Sequence, residues 1–255
     1  MKQQIRIFVL LLVALIAVVG YSLAPWTLQV GHLELKKIDL PDALRIVPDK
    51  AVAKTEKKEA FTPAPLDTAR QRILFFGDSM LEGLSRRFAD YAEANGHDLQ
   101  TVLWYSSTTQ LWAETDTLQH FLRQANPTFI VICLGSNELF VRDLAKRNQY
   151  VEQILRKVGN VPYVWISPPN WKDDTGINDV ILRHVGPHRY FDSRHLTLQR
   201  GRDGAHPTFE AAATWMDKAA AWMQSDSTAH PIRLLPPQKK AEHRKLKLLM
   251  PAAGT

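Results

Sequence analysis

The chain has 255 residues, 45% hydrophobic and 23% charged, which excludes a disordered polypeptide and is ample for a well-buried core. Its one cysteine, Cys133, excludes an internal disulfide framework and a Cys-rich zinc module. The formal net charge of +6 sits at the ends: Lys2 and Arg6 in front, and Arg233, Lys239, Lys240, Arg244, Lys245 and Lys247 against Glu242 behind. The stretch between is nearly neutral, so no nucleic-acid partner is expected.

Residues 7–24 carry no charged side chain. As a helix this run rises roughly 27 Å, close to the thickness of a hydrocarbon core. Lys2 and Arg6 precede it, and no further Lys or Arg occurs before Lys36. The positive-inside rule then keeps residues 1–6 in the cytoplasm. The reading is a single-pass anchor in a bacterial-type cytoplasmic membrane, with the body outside, periplasmic or extracellular. A cleaved signal peptide is the alternative, since Ser22-Leu23-Ala24 offers small residues at both recognition positions. Pro25 after that bond and the length of the run favour a retained anchor. Residues 25–70 read as a stalk, charged and Ala-rich over Asp49 to Lys58 and stiff at Thr62-Pro63-Ala64-Pro65. Leu33 to Val47 reads as a short strand or helix against the body.

The body, 71–226, alternates strands and helices. Ile73 to Phe76 is a short apolar run ending at Gly77, a buried strand. Leu81 to Ala94 has helical periodicity and stops at Asn95-Gly96. Leu99 to Trp104 is a second strand, and Thr115 to Gln124 a helix closed by Asn126-Pro127. Phe129 to Leu134 is a third strand, Leu144 to Val158 a helix, and Val161 to Ile166 a fourth strand before Pro168-Pro169. Asn178 to Val185 is a short helix, Arg189 to Phe191 a fifth strand, and Thr208 to Gln224 an amphipathic helix. This alternation implies an α/β fold with a parallel sheet covered on both faces. Residues 227–255 form a basic, Pro-containing tail, with a short amphipathic helix over Lys239 to Leu249.

In such folds functional groups gather at the carboxyl ends of the strands. Gly77-Asp78-Ser79-Met80 follows the first strand, Ser106-Ser107-Thr108-Thr109 the second and Gly135-Ser136-Asn137-Glu138 the third. Asp203-Gly204-Ala205-His206-Pro207 precedes the last helix. Ser79 is a candidate nucleophile, its N–H at a helix start facing a developing oxyanion. A serine hydroxyl needs a base, which His206 supplies, and Asp203 can orient the imidazole. Asn137 offers a side-chain donor to the oxyanion. Trp112 and Trp171, near strand-end loops, are candidates for stacking on sugar rings or for core packing. Cys133 reads as a buried strand residue. No metal site is expected among His184, His188, Asp192 and His195, because Gly186-Pro187 breaks the helical spacing.

The segments Gly77-Asp78-Ser79-Met80, Gly135-Ser136-Asn137-Glu138 and Asp203-Gly204-Ala205-His206 resemble blocks I, III and V of the SGNH (GDSL-type) hydrolase superfamily. The resemblance covers roughly residues 72–224, in the family's order. It implies a flavodoxin-like three-layer αβα sandwich with a mostly parallel five-stranded sheet. It also implies a Ser-His-Asp esterase or acyltransferase mechanism with no metal or other cofactor. The oxyanion hole it implies comprises the N–H of Ser79, a block II backbone N–H at Ser107 and the Asn137 side chain. Two positions depart from the pattern: Ser107 stands where block II carries Gly, and Glu138 where block III usually carries Asp. Polysaccharide O-acetyltransferases and O-acetylesterases of the superfamily tolerate such variation. The expectation is an envelope enzyme acting on an O-acylated glycan or other ester, with a membrane acyl-donor partner in the transferase case. A general carboxylesterase or lipase, and a catalytically silent envelope scaffold, are the alternatives.

Overall fold

The computed structural model describes residues 2–23, 29–30, 33–34 and 61–251. The chain divides into two units, Met1–Ala60 and Phe61–Thr255. In the first, helix α1 (Lys2–Leu23) contains residues 7–23 of the apolar run, and β1 (Gln29–Val30) pairs antiparallel with β2 (Leu33–Glu34). Ile7 to Val13, Leu15 and Val18 are exposed along α1. Among the described residues no helix is long and apolar enough to cross a membrane; several α1 side chains lie outside the described set. Most of the stalk, and the element expected within Leu33 to Val47 apart from Leu33–Glu34, also lie outside it.

The second unit is built on a parallel sheet of six strands in the order β7-β6-β5-β3-β4-β8. In chain order its elements are β3 (Arg72–Gly77), α2 (Leu81–Ala94), β4 (Asp98–Trp104), α3 (Thr109–Glu114), α4 (Thr117–Ala125), β5 (Phe129–Cys133), α5 (Leu144–Val158), β6 (Tyr163–Ile166), α6 (Ile177–Val185), β7 (Tyr190–Phe191), α7 (Phe209–Met223) and β8 (Lys245–Leu249). Without β8 the strand order is the flavodoxin-like one. Alternation along β3 sends Ile73 and Phe75 to a core shared with α2 and α7. Leu74 and Phe76 go to the opposite core, shared with α3, α4, α5 and α6. Both faces of the central strands are therefore dry, which is why they read as continuous apolar runs. α2 and α7 touch closely at Gly83, where a Cβ would lie 2.4 Å from that of Ala212.

Three expectations are corrected. The sheet has six strands because the tail adds β8 beside β4, from Gln100↔Lys245 to Trp104↔Leu249. The expected helix over 239–249 is absent, since Lys245-Leu246-Lys247-Leu248 alternates with period two and β4 offers an open edge. Second, residues 61–70 and 227–235 belong to the body. Asp67 N–H donates to Pro231 O (2.9 Å), Arg233 N–H donates to Asp67 O (2.9 Å), and Ile232 and Leu234 are buried. Third, the helix expected over 115–124 is α4, and a short helix with no counterpart in the sequence reading, α3, precedes it. Lys157 Nζ ends α3 by donating to the carbonyls of Trp112 (3.1 Å), Ala113 and Thr115 (2.8 Å).

Candidate active site

Chain order reverses between the adjacent strands β3 and β5: the next strand lies outside β3 in one direction and outside β5 in the other. The loops that leave their carboxyl ends therefore open a crevice. Gly77 lets them meet, since a Cβ there would lie 1.7 Å from Cys133 O. Asp78 then ties them together. One carboxylate oxygen accepts from Ser136 Oγ (2.8 Å), Ser136 N (3.1 Å) and Gly135 N (3.2 Å); the other accepts from Met80 N (3.0 Å). Asp78 is fully buried, and desolvation raises its carboxyl above the usual range, against the pull of those donors.

Ser79 projects from the turn between β3 and α2. Its hydroxyl lies 2.8 Å from His206 Nε2, and His206 Nδ1 lies 2.6 Å from Asp203 Oδ2. A carboxylate can only accept, so Nδ1 carries the proton and Nε2 accepts from Ser79. The other Asp203 oxygen accepts from Ala205 N (2.9 Å) and His206 N (3.0 Å). The hydrogen bond from His206, with those from the backbone, pulls the Asp203 carboxyl down to about 2. Nucleophile, base and orienter thus stand in one line, able to move the Ser79 proton onto the imidazole. Arg200 holds this loop from below, donating to the carbonyls of Ala205 and of Asn170 (3.2 Å). No spacing in the sequence pointed to Arg200.

The donors around Ser79 are only partly as expected. Asn137 Nδ2 donates to Ser107 O at 2.9 Å, which leaves its second N–H for an incoming oxygen. The Ser107 N–H turns back to Trp104 O (3.2 Å) after Ser106, whose φ is +57°. That amide is committed to a turn and not aimed at an oxyanion. Glu138, the departure in block III, is buried and organises the same loop. It accepts from Thr109 N (2.8 Å) and Thr109 Oγ1 (2.7 Å) and pairs with Arg147 Nε at 3.2 Å. Desolvation raises its carboxyl, opposed by these partners. Arg147, nine positions along on α5, is a partner the sequence gave no cue for. Asn137→Ala is expected to lower kcat by about 10²–10³ with KM changed far less, because the donor acts mainly on the transition state. Steady-state kinetics on an aryl acetate check this, and an unaltered kcat assigns Asn137 to loop support alone.

The two tryptophans part company. Trp112 is fully buried in the core, its Nε1–H donating to Ser107 Oγ (3.0 Å), so it cannot meet a sugar. Trp171 is half-buried and donates from Nε1 to Ser136 O (3.1 Å), beside the block III loop. The exposed Phe140 meets it edge-on at 6.4 Å, and Lys172 Nζ stands 4.8 Å from its ring centroid. On the α7 side, a cleft of about 330 Å³ is lined by Ser79, Met80, Gly83, Gly201, His206 and Phe209. Cys133 is buried behind the site, and burial drives its thiol up, which suits a core residue and not a nucleophile.

No family model and no curated protein matches the chain. Among solved structures it is similar to a putative lipolytic protein of the G-D-S-L family from Desulfitobacterium hafniense DCB-2. The identity is 15% and the TM-score 0.41, over 59% of this chain and 98% of that one. It is also similar to a gut microbial diltiazem-metabolizing enzyme, at 16% identity and TM-score 0.38, over 62% of this chain and 47% of that one.

Proposed function

We propose that the protein is a serine-dependent acyl-ester enzyme of the cell envelope. The observation that carries this reading is the unbroken line from Ser79 through His206 to Asp203, at 2.8 and 2.6 Å. Ser79 Oγ attacks the ester carbonyl as its proton passes to His206 Nε2. The carbonyl oxygen takes the negative charge, near the Ser79 N–H and the free N–H of Asn137. The alcohol leaves with the proton from His206, and the acyl group stays on Ser79. Water or a sugar hydroxyl, deprotonated by the same imidazole, then releases it. Asp203 stabilises the imidazolium in both halves.

The substrate we favour is an O-acylated polysaccharide, and the reaction O-acetyl transfer or de-acetylation. His206 and Asp203 have side chains 41% and 53% exposed, so the site lies at a rim that a polymer can reach. Phe140 and Trp171 offer aromatic faces nearby, and Lys172 a cation, for a sugar and its anionic groups. Purified protein given an acetyl donor ester, with and without an oligosaccharide acceptor, separates the readings. Faster donor consumption with acetyl on the sugar supports transfer. Acetate release from acetylated glycans supports the esterase. Turnover of simple esters alone reduces the protein to a general carboxylesterase, and no turnover of any ester leaves the scaffold.

The anchor belongs to the same proposal. The exposed apolar residues of α1 support insertion of residues 7–24 in the cytoplasmic membrane, body outward. Tethering would raise the effective concentration of a membrane acyl donor or of polymer under export. A reporter fused after Thr255 should be active only outside the cytoplasm and should sediment with membranes. A soluble product beginning at Pro25 would make the segment a cleaved signal.

A further inference from the structure

A second hollow, about 340 Å³, lies on the other side of α2 from the Ser79 cleft. Its lining is mixed, an apolar strip beside Thr101 and charged residues that include Arg86, Glu93 and Arg244. Leu99 of β4 and Leu246 and Leu248 of β8 line it, with Ala89 and Ala92 of α2 as a wall. The register puts Leu246 beside Thr101 and Leu248 beside Leu103, so both leucines share the sheet face that α2 only partly covers. They remain 43% and 50% exposed. Glu82, in the first turn of α2, lines both this groove and the Ser79 cleft. Tyr105 stands at the same end of the groove and donates from its hydroxyl to Glu82 Oε2 at 3.1 Å. Its backbone is fixed, since Tyr105 N–H donates to Leu249 O at 3.0 Å. It also lies two residues before Ser107, whose carbonyl holds Asn137.

We propose that the Tyr105–Glu82 bridge is a specificity-determining wall that restricts the acyl group on Ser79 to short chains by closing the way onto the apolar strip of the groove. The inference rests on the acyl-ester reading above. With the bridge in place, an acetyl group is accommodated beside Ser79, while a longer chain meets a phenol ring and a carboxylate. The carboxylate would be stripped of water by an alkyl chain pressed against it, which adds to the steric penalty. Without the ring, the chain can run over Ala89 and Ala92 onto Leu246 and Leu248 and bury its methylenes. The strand β8 thus has a second part in the design: it holds Tyr105 in place and supplies part of the apolar strip that Tyr105 closes off.

The test uses the full-length protein and a pair of p-nitrophenyl esters, acetate and octanoate. Tyr105→Ala is expected to raise the octanoate-to-acetate ratio of kcat/KM about tenfold or more, the scale on which apolar pocket contacts discriminate. Leu248→Trp added to Tyr105→Ala should fill the groove and return the ratio toward the wild-type value. Glu82→Ala, which unlatches the ring without removing it from the core, should move the ratio in the same direction by a smaller factor and serves if Tyr105→Ala does not fold. An unchanged ratio in a folded, active variant overturns the wall. A rise that Leu248→Trp leaves intact overturns the groove as the chain's path. A wild type inert toward every ester and unlabelled at Ser79 by a fluorophosphonate instead overturns the acyl-ester reading, and the wall falls with it.

Discussion

Ser79→Ala is expected to lower ester turnover by a factor on the order of 10⁶, with thermal stability almost unchanged. In the proposed mechanism the hydroxyl is the group that bonds to substrate, and its hydrogen-bond partner His206 has a side chain 41% exposed. Removing it leaves an imidazole that water can satisfy, so little folding free energy is at stake. His206→Ala should cost about as much, and the double variant little more than either, because the two act as one unit. Asp203→Asn should cost about 10⁴, by favouring the wrong imidazole tautomer. Since Asp203 is held down at about 2, it stays ionised throughout the neutral range, and any loss of activity there has another origin. Turnover of an aryl acetate, set beside a thermal melt and fluorophosphonate labelling, checks the set. Labelling at Ser107 or Ser136 in place of Ser79 would reassign the nucleophile.

Asp78→Ala is expected to destabilise the fold by about 4 kcal/mol or more, since each buried donor left without an acceptor costs about 1–3 kcal/mol. Ser136 Oγ, Ser136 N, Gly135 N and Met80 N all lose their acceptor at once. Against a usual margin of about 5–15 kcal/mol this is a large share. Asp78→Asn should recover only part of it, because its amide turns a donor toward one group of donors. Both variants should also lower kcat in the fraction that stays folded, since Asp78 sets the Ser79 turn against the Asn137 loop. The urea midpoint measures the first effect and turnover under native conditions the second. A midpoint equal to the wild type's would show that the two loops are held together by packing alone.

Most of the αβα body was legible in the sequence. Ile73 to Gly77 and Phe129 to Cys133 are strands because they are short, continuous apolar runs closed by glycine or polar residues. Such runs have one good solution, a central strand dry on both faces. Leu81 to Ala94 and the α7 segment declare themselves by period and by their caps. The triad was legible for a related reason. Ser79, Asp203 and His206 sit where chain reversals follow strands or precede a helix, and Asp203 and His206 are local to one another.

What the tertiary structure decided is of another kind. The segment Lys245-Leu246-Lys247-Leu248 suits a helix end or an edge strand on local grounds, and only the open edge of β4 selects the strand. Residues 61–70 resemble a linker until Ile232 and Leu234 give them something to pair beside. Trp112, a few residues after a strand-end loop, was open between a rim aromatic and core packing on local grounds. The turn at Ser106 sends it inward, and its indole N–H finds Ser107 Oγ in the core. The same turn takes the Ser107 amide away from the oxyanion position. Glu138 with Arg147, Arg200 beneath the His206 loop, and Tyr105 against Glu82 depend on side chains meeting across elements. Periodicity and composition report what a residue's own segment becomes. Which distant polar groups it meets is set only when the sheet brings the strand ends together, because burial leaves each such group only the few partners within reach.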